Sequence, residues 1–116
     1  MAEISLRIDL GEDRRFGPGK ARLLELIRDT GSISAAGRAL GMSYRRAWLL
    51  TDALNTMFGR KLVEPQHGGA KGGGARVTDE GIATLEAYRR VEAAAEAALE
   101  KERKMFKGGK VRKKAQ

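Results

Sequence analysis

The hydrophobic period of the chain changes several times, and each change predicts an element. Residues 3–9 alternate Ile4, Leu6 and Ile8 with Ser5, Arg7 and Asp9. A period of two predicts a half-buried strand. A charged loop is expected from Gly11 to Gly17. Pro18 then suits a helix start, because its missing N–H is an orphan in the first turn anyway. Leu23, Leu24 and Ile27, with Leu26 beside them, give residues 20–29 one apolar helical face. Gly31 suits a left-handed stop.

From Gly31 to Phe58 the pattern predicts two helices joined by a tight turn. Ser32 or Ser34 caps the first. Its inner side is Ile33, Ala36, Gly37 and Leu40, with Gly37 small where two helices cross closely. Gly41, four residues later, permits a positive φ. Ser43 caps the next helix, expected to run to about Phe58. At roughly 100° per residue, Ala47, Leu50, Thr51, Leu54 and Phe58 share one face. Arg45 and Leu49 point to the opposite face. Tyr44 and Trp48 lie on one flank and Arg46 on the other. The flank position predicts that Trp48 roofs the core with its N–H outward, with a nucleic-acid contact as the alternative. The spacing of a small residue, a glycine and two buried positions is what a helix-turn-helix needs sterically. An ordinary helical hairpin imitates it.

Residues 62–66 and 75–78 read as two short strands. Between them lies HGGAKGGG, with His67 a polar loop residue. A strand, glycine-rich loop and strand after a helix-turn-helix predict a wing. The loop matches neither the phosphate-binding signature ending in Gly-Lys-Ser/Thr nor the dinucleotide glycine spacing. Thr78 caps a last long helix, and Asp79 and Glu80 stand in its first turn, as the helix dipole favours. Ile82, Leu85, Tyr88 (or Arg89), Val91, Ala95 and Leu99 form an irregular apolar stripe on it. This helix is long for one small domain to cover, so self-association through Ile82, Leu85, Val91, Ala95 and Leu99 is expected. The domain plan is therefore 1–78 winged helix-turn-helix, 79–106 long dimerisation helix and 107–116 basic disordered tail. The fold class is mainly α with a small β component.

Charge changes this picture. The net charge is +8. Residues 101–116 carry eight basic groups against one acid, whereas residues 1–100 carry fifteen against fourteen. Residues 38–78 hold Arg38, Arg45, Arg46, Arg60, Lys61, Lys71 and Arg76 against Asp52 and Glu64. That excess falls on the second helix and the glycine loop, where a polyanion would sit. Double-stranded DNA is the expected partner. Base edges would meet Tyr44, Arg45 and Arg46, since arginine bonds a guanine edge through two N–H groups. Phosphates would meet Ser32, Ser34, Ser43, Lys71, Gly72, Gly73 and Arg76. The chain has no cysteine and one histidine, so no metal site and no cofactor are expected. No paired carboxylate, Cys or His constellation suggests an enzyme. No apolar run nears the roughly 18 residues of a membrane span. A soluble, cytoplasmic protein without membrane contact is the expectation.

The segments GSISAAGRALGMSYRRAWLLTDALN, LVEPQHGGAKGGGARVT and the following Thr-Asp-Glu-Gly helix start resemble the N-terminal DNA-binding domain of the ModE family, which is distantly similar to the LysR-type winged helix. The resemblance covers about residues 3–100. Its most specific pieces are Ser43-Tyr44-Arg45-Arg46-Ala47-Trp48 and the glycine run from Gly68 to Gly74. It implies a bacterial transcriptional regulator with Ser43 to Asn55 as recognition helix and a wing at 67–74. It also implies a homodimer on a two-fold symmetric operator. Full-length members carry molybdate-binding modules after the long helix. This sequence has no evident molybdate site, and a stand-alone form is expected. Two other readings stay open, a nonspecific architectural DNA-binding protein driven by the basic tail and a winged-helix protein-interaction module.

Overall fold

A computed structural model describes residues 2–66 and 74–107. A two-residue strand β1 (Ile8–Asp9) pairs antiparallel with β2 (Arg15–Phe16), and three helices follow: α1 (Pro18–Thr30), α2 (Ile33–Ala39) and α3 (Tyr44–Met57). Strands β3 (Val63–Gln66) and β4 (Gly74–Val77) form a second antiparallel hairpin, with Val63 opposite Val77 and Gln66 opposite Gly74. Helix α4 (Asp79–Lys101) and a short 3-10 helix (Arg103–Phe106) close the described chain.

Local chemistry explains most boundaries. Gly31 ends α1 at φ +72, and Gly41 makes the α2–α3 turn at φ +70. The Ser32, Ser43 and Thr78 hydroxyls accept from the backbone N–H of Ala35, Arg46 and Gly81, capping α2, α3 and α4. Gly37 sits where a Cβ would stand 2.8 Å from the Ala47 Cβ. The two helices of the motif therefore cross closely enough to need hydrogen there.

The core lies between α1, α3, the β3–β4 hairpin and the first half of α4. Leu23, Leu24, Ile27, Leu54, Leu62 and Leu85 are fully buried within it. Phe16 packs edge-on against Tyr88 and Phe58, with ring centroids 5.0 and 5.9 Å apart.

The N-terminal strand is shorter than the alternation predicts. Ile4, Leu6 and Ile8 do face inward while Ser5, Arg7 and Asp9 are exposed, but only Ile8–Asp9 pairs. Residues 2–6 instead run along α4. The Tyr88 hydroxyl donates to the Leu6 carbonyl at 2.6 Å, Ile4 N–H donates to Glu96, and Arg103 donates to the Ala2 carbonyl. The expected charged loop from Gly11 to Gly17 holds the β1–β2 turn, where Gly11, Glu12 and Asp13 all take positive φ. Arg14 fastens this turn to the end of α3 by donating to the carbonyls of Gly11, Leu10 and Met57.

Helix α4 corrects one expectation. Leu85 is 1% exposed and belongs to the core of its own chain, so it is not available to a partner. Ile82 also packs against that core. Tyr88, not Arg89, faces inward. Arg89 instead bridges Glu25 of α1 at 2.9 Å and Glu92 at 2.7 Å. Desolvation of the Tyr88 phenol and the nearby Glu92 charge raise its pKa, and the carboxylate partners of Arg89 raise that of the guanidinium. Among the described residues, no helix is long and apolar enough to cross a membrane.

Candidate nucleic-acid interface

Helix α3 begins immediately after the Gly41 turn, and its first turn projects from the body. Tyr44, Arg45 and Arg46 are exposed, as are Trp48 and Leu49 further along. Among the described residues, neither the Arg45 nor the Arg46 guanidinium has an ion-pair or hydrogen-bond partner. Two arginines that hold no internal contact keep all their N–H donors for a ligand. Trp48 does not roof the core. It is 47% exposed and stands beside Tyr44 in a cleft between α3 and the wing strands. The cleft measures about 410 Å³ and is bordered by Ser32, Ser34, Asn55, Pro65 and Gly74 as well.

The three serines differ in role. Ser32 and Ser43 are caps, so their oxygens already accept a backbone N–H. The Ser34 hydroxyl is not a cap and accepts from Arg38 Nη1 at 2.9 Å. Among the described residues none of these hydroxyls donates, which leaves each O–H for an outward contact such as a phosphate.

Strand β4 is tied to the end of α1 by the Ala75 N–H, which donates to the Gly31 carbonyl at 2.9 Å. Asn55 ties β3 to α3. Its Oδ1 accepts from Leu62 and Val63 N–H, and its Nδ2 donates to the Val63 carbonyl, all at 2.9 Å. The hairpin is thus held at a fixed place beside the exposed turn of α3. Lys71, Gly72 and Gly73, and the polar His67, lie outside the described residues.

Two of the expected cations are spoken for. Arg76 forms a cross-strand pair with Glu64 at 2.6 Å, and Arg60 pairs with Glu80 at 2.9 Å. The Arg76 charge is therefore partly offset inside the hairpin, which lowers the net positive charge that counting suggests for this surface. The strand register puts Glu64 opposite Arg76, a pairing that counting charges along the sequence does not reveal.

Among the described residues no group of three His, Cys, Asp or Glu side chains could hold a metal ion.

No protein-family model matches the chain. Several curated proteins do. MopA of Rhodobacter capsulatus, named a molybdenum-pterin-binding protein, is 42% identical over 85 residues, covering 73% of this chain and 32% of that protein. ModE of Azotobacter vinelandii, named a molybdenum transport protein, is 35% identical over 101 residues, covering 87% and 37%. ModE of Escherichia coli K12, named a DNA-binding transcriptional dual regulator, is 36% identical over 87 residues, covering 75% and 33%. The chain thus spans about a third of the length of these relatives. Among solved structures, the DNA-binding domain of CbnR in complex with DNA superposes with a TM-score of 0.59 at 24% identity, covering 76% of this chain and 95% of that one. Full-length CbnR with its target DNA gives 0.55 at 24% identity, covering 73% and 28%. Along most of its own residues the chain is a relative of the ModE and Mop proteins, and its fold is the winged helix of LysR-type DNA-binding domains.

Proposed function

We propose that the chain binds double-stranded DNA sequence-specifically and acts as a transcriptional regulator. The carrying observation is the pair Arg45 and Arg46, exposed on the first turn of α3 and without side-chain partners among the described residues. In helix-turn-helix readers this turn meets the base edges in the major groove. The relatives named transcriptional regulators and the DNA complexes of the CbnR fold support the same reading. Tyr44, Arg45 and Arg46 would read bases. Ser32, Ser34 and Ser43 would donate to phosphates, and Lys71 with the loop amides of Gly72 and Gly73 would add the wing contact.

Selection of bound duplexes from a random pool tests this. A recovered consensus is expected, and none would sink the reading. Replacing Arg45 or Arg46 by Ala should then cost about 1–3 kcal/mol of discrimination at one position of that consensus. Unchanged selection by both variants would remove these residues from the readout.

The regulator is proposed to work as a homodimer through the outer half of α4. Val91 is 47% exposed there, and Ala95 and Leu99 are half-buried in the single chain. An apolar depression of about 320 Å³, bordered by Ile8, Leu10, Ala87 and Val91, adjoins this face. Val91→Glu should shift the chain from dimer to monomer in sedimentation velocity while leaving its helical content unchanged. A parent chain that sediments as a monomer at high concentration would exclude the dimer.

A further inference from the structure

A cavity of about 440 Å³ lies on the flank of α3 away from the wing, between the start of α1, the β1–β2 turn and the α2–α3 turn. Four cations line it: Arg7, Arg15, Lys20 and Arg46. They come from four separate parts of the chain, so no single helix face or charge run explains their meeting. The one acid at the cavity is Asp13, whose side chain is 93% exposed and stands 3.6 Å from Arg15. Like charges gathered this way repel one another, and for the partly buried Lys20, whose Nζ donates to the Arg15 carbonyl at 2.9 Å, burial adds to the cost. Both effects act on Lys20, where desolvation first and the Arg15 charge second lower the ammonium pKa.

The floor of the cavity adds donors. Gly17, at the N-cap of α1, has no side chain to cap it, and the first turn holds no acid. Among the described residues the Gly19 and Lys20 amides have no hydrogen-bond acceptor, so they join the cations in facing an anion.

We propose that this cavity is a phosphate-binding site, with Arg7, Arg15 and Lys20 neutralising the anion and the Gly19 and Lys20 amides donating to it. Arg46 belongs at once to this cavity and to the exposed turn of α3. A backbone phosphate beside the bases that α3 reads is therefore the source the geometry favours, and that identification rests on the DNA-binding reading above. It would make α3 flanked on both sides, by the serines and wing on one and by this cavity on the other. Free inorganic phosphate shares the chemistry and is the other source.

The test uses the full chain and its Arg15→Gln/Lys20→Gln double variant. Inorganic phosphate is titrated while the Gly19 and Lys20 amide resonances are followed. Affinity for a random-sequence duplex is then measured against salt concentration. The expected results are saturable phosphate shifts at those two amides that the double variant loses, and a salt slope that falls by about 2 in the variant, about one per lost cation. Retained helical content by circular dichroism shows that the variant folds. Phosphate shifts with an unchanged salt slope uphold the site and make free phosphate its ligand. No shift at either amide together with an unchanged slope overturns the proposal. If the parent chain binds no duplex at all, the DNA-binding reading fails by itself, and the phosphate titration alone still decides the site.

Discussion

Gly81→Ala is expected to lower the thermal midpoint by about 10 °C, although alanine is the better helix former. The substitution sets two effects against each other. Replacing glycine inside a helix favours folding by about 1 kcal/mol. Against this, a Cβ at position 81 would run into the Leu62 carbonyl and stand 2.6 Å from Val77 Cγ1. Neither neighbour yields easily. The Leu62 carbonyl accepts the Thr78 N–H at 2.9 Å, and Val77 is a buried, β-branched strand residue with few rotamers. Overpacking a tight site costs about 1–3 kcal/mol or more, and here backbone must move, which puts the cost at the upper end. The net loss is then about 2 kcal/mol, and for a domain of this size each kcal/mol is about 4–8 °C. Gly19→Ala is the control, because nothing lies within 4 Å of its would-be Cβ. It should leave the midpoint unchanged or raise it. Equal midpoints for parent and Gly81→Ala in calorimetry would show that α4 can lift off the hairpin at no cost.

Gly81 illustrates which parts of this molecule are legible in the sequence. Gly31, Gly41, Ser43 and Thr78 act on residues within a few positions of themselves, and local chemistry alone names their roles. Gly37 is legible because its partner Ala47 belongs to the same short motif. The exposed turn at Tyr44–Arg46 is legible for the same reason, since cap, turn and periodicity together aim it outward. Gly81 and Asn55 are not, because their partners are set by how the hairpin docks, and a helical period holds no record of that docking. The N-terminal strand shows the limit from the other side. The alternation of Ile4, Leu6 and Ile8 correctly marks one inward face, but that face is covered by α4, which follows some eighty residues later. Leu85 was assignable to a helix stripe, yet the stripe serves two surfaces, its first half the core and its outer half an exposed face. Trp48 is misread from its flank position. A large aromatic on a flank usually packs inward, but here that flank borders the open cleft between α3 and the wing strands. Arg76 shows that counting charges without pairing them overstates a basic surface.

Asn55→Ala should destabilise the chain about as much and should also weaken DNA binding without altering which sequence is chosen. Asn55 is the only described α3 side chain that bonds to the start of β3. Its amide supplies one acceptor to two N–H groups and one donor to a carbonyl, all at 2.9 Å. Truncation leaves three partly buried backbone groups without a protein partner. At roughly 1 kcal/mol each, the loss is about 2–4 kcal/mol, less whatever entering water restores. Asn55→Asp separates the two halves of the contact. A carboxylate can still accept from Leu62 and Val63, but it places a second oxygen against the Val63 carbonyl, so it should fall between parent and Ala. The functional consequence follows from position. Asn55 lies on the fourth turn of α3, away from Arg45 and Arg46, and it fixes where β3 begins. Losing it frees the hairpin relative to α3, so a wing contact must be ordered at the moment of binding. Under the DNA-binding reading, affinity therefore drops for all duplexes alike, while the discrimination carried by Arg45 and Arg46 stays. Urea unfolding and duplex titrations below the unfolding range measure the two effects separately. An unfolding free energy within about 0.5 kcal/mol of the parent would show that water replaces the amide fully. A changed sequence preference would show instead that the hairpin helps aim α3 at the bases.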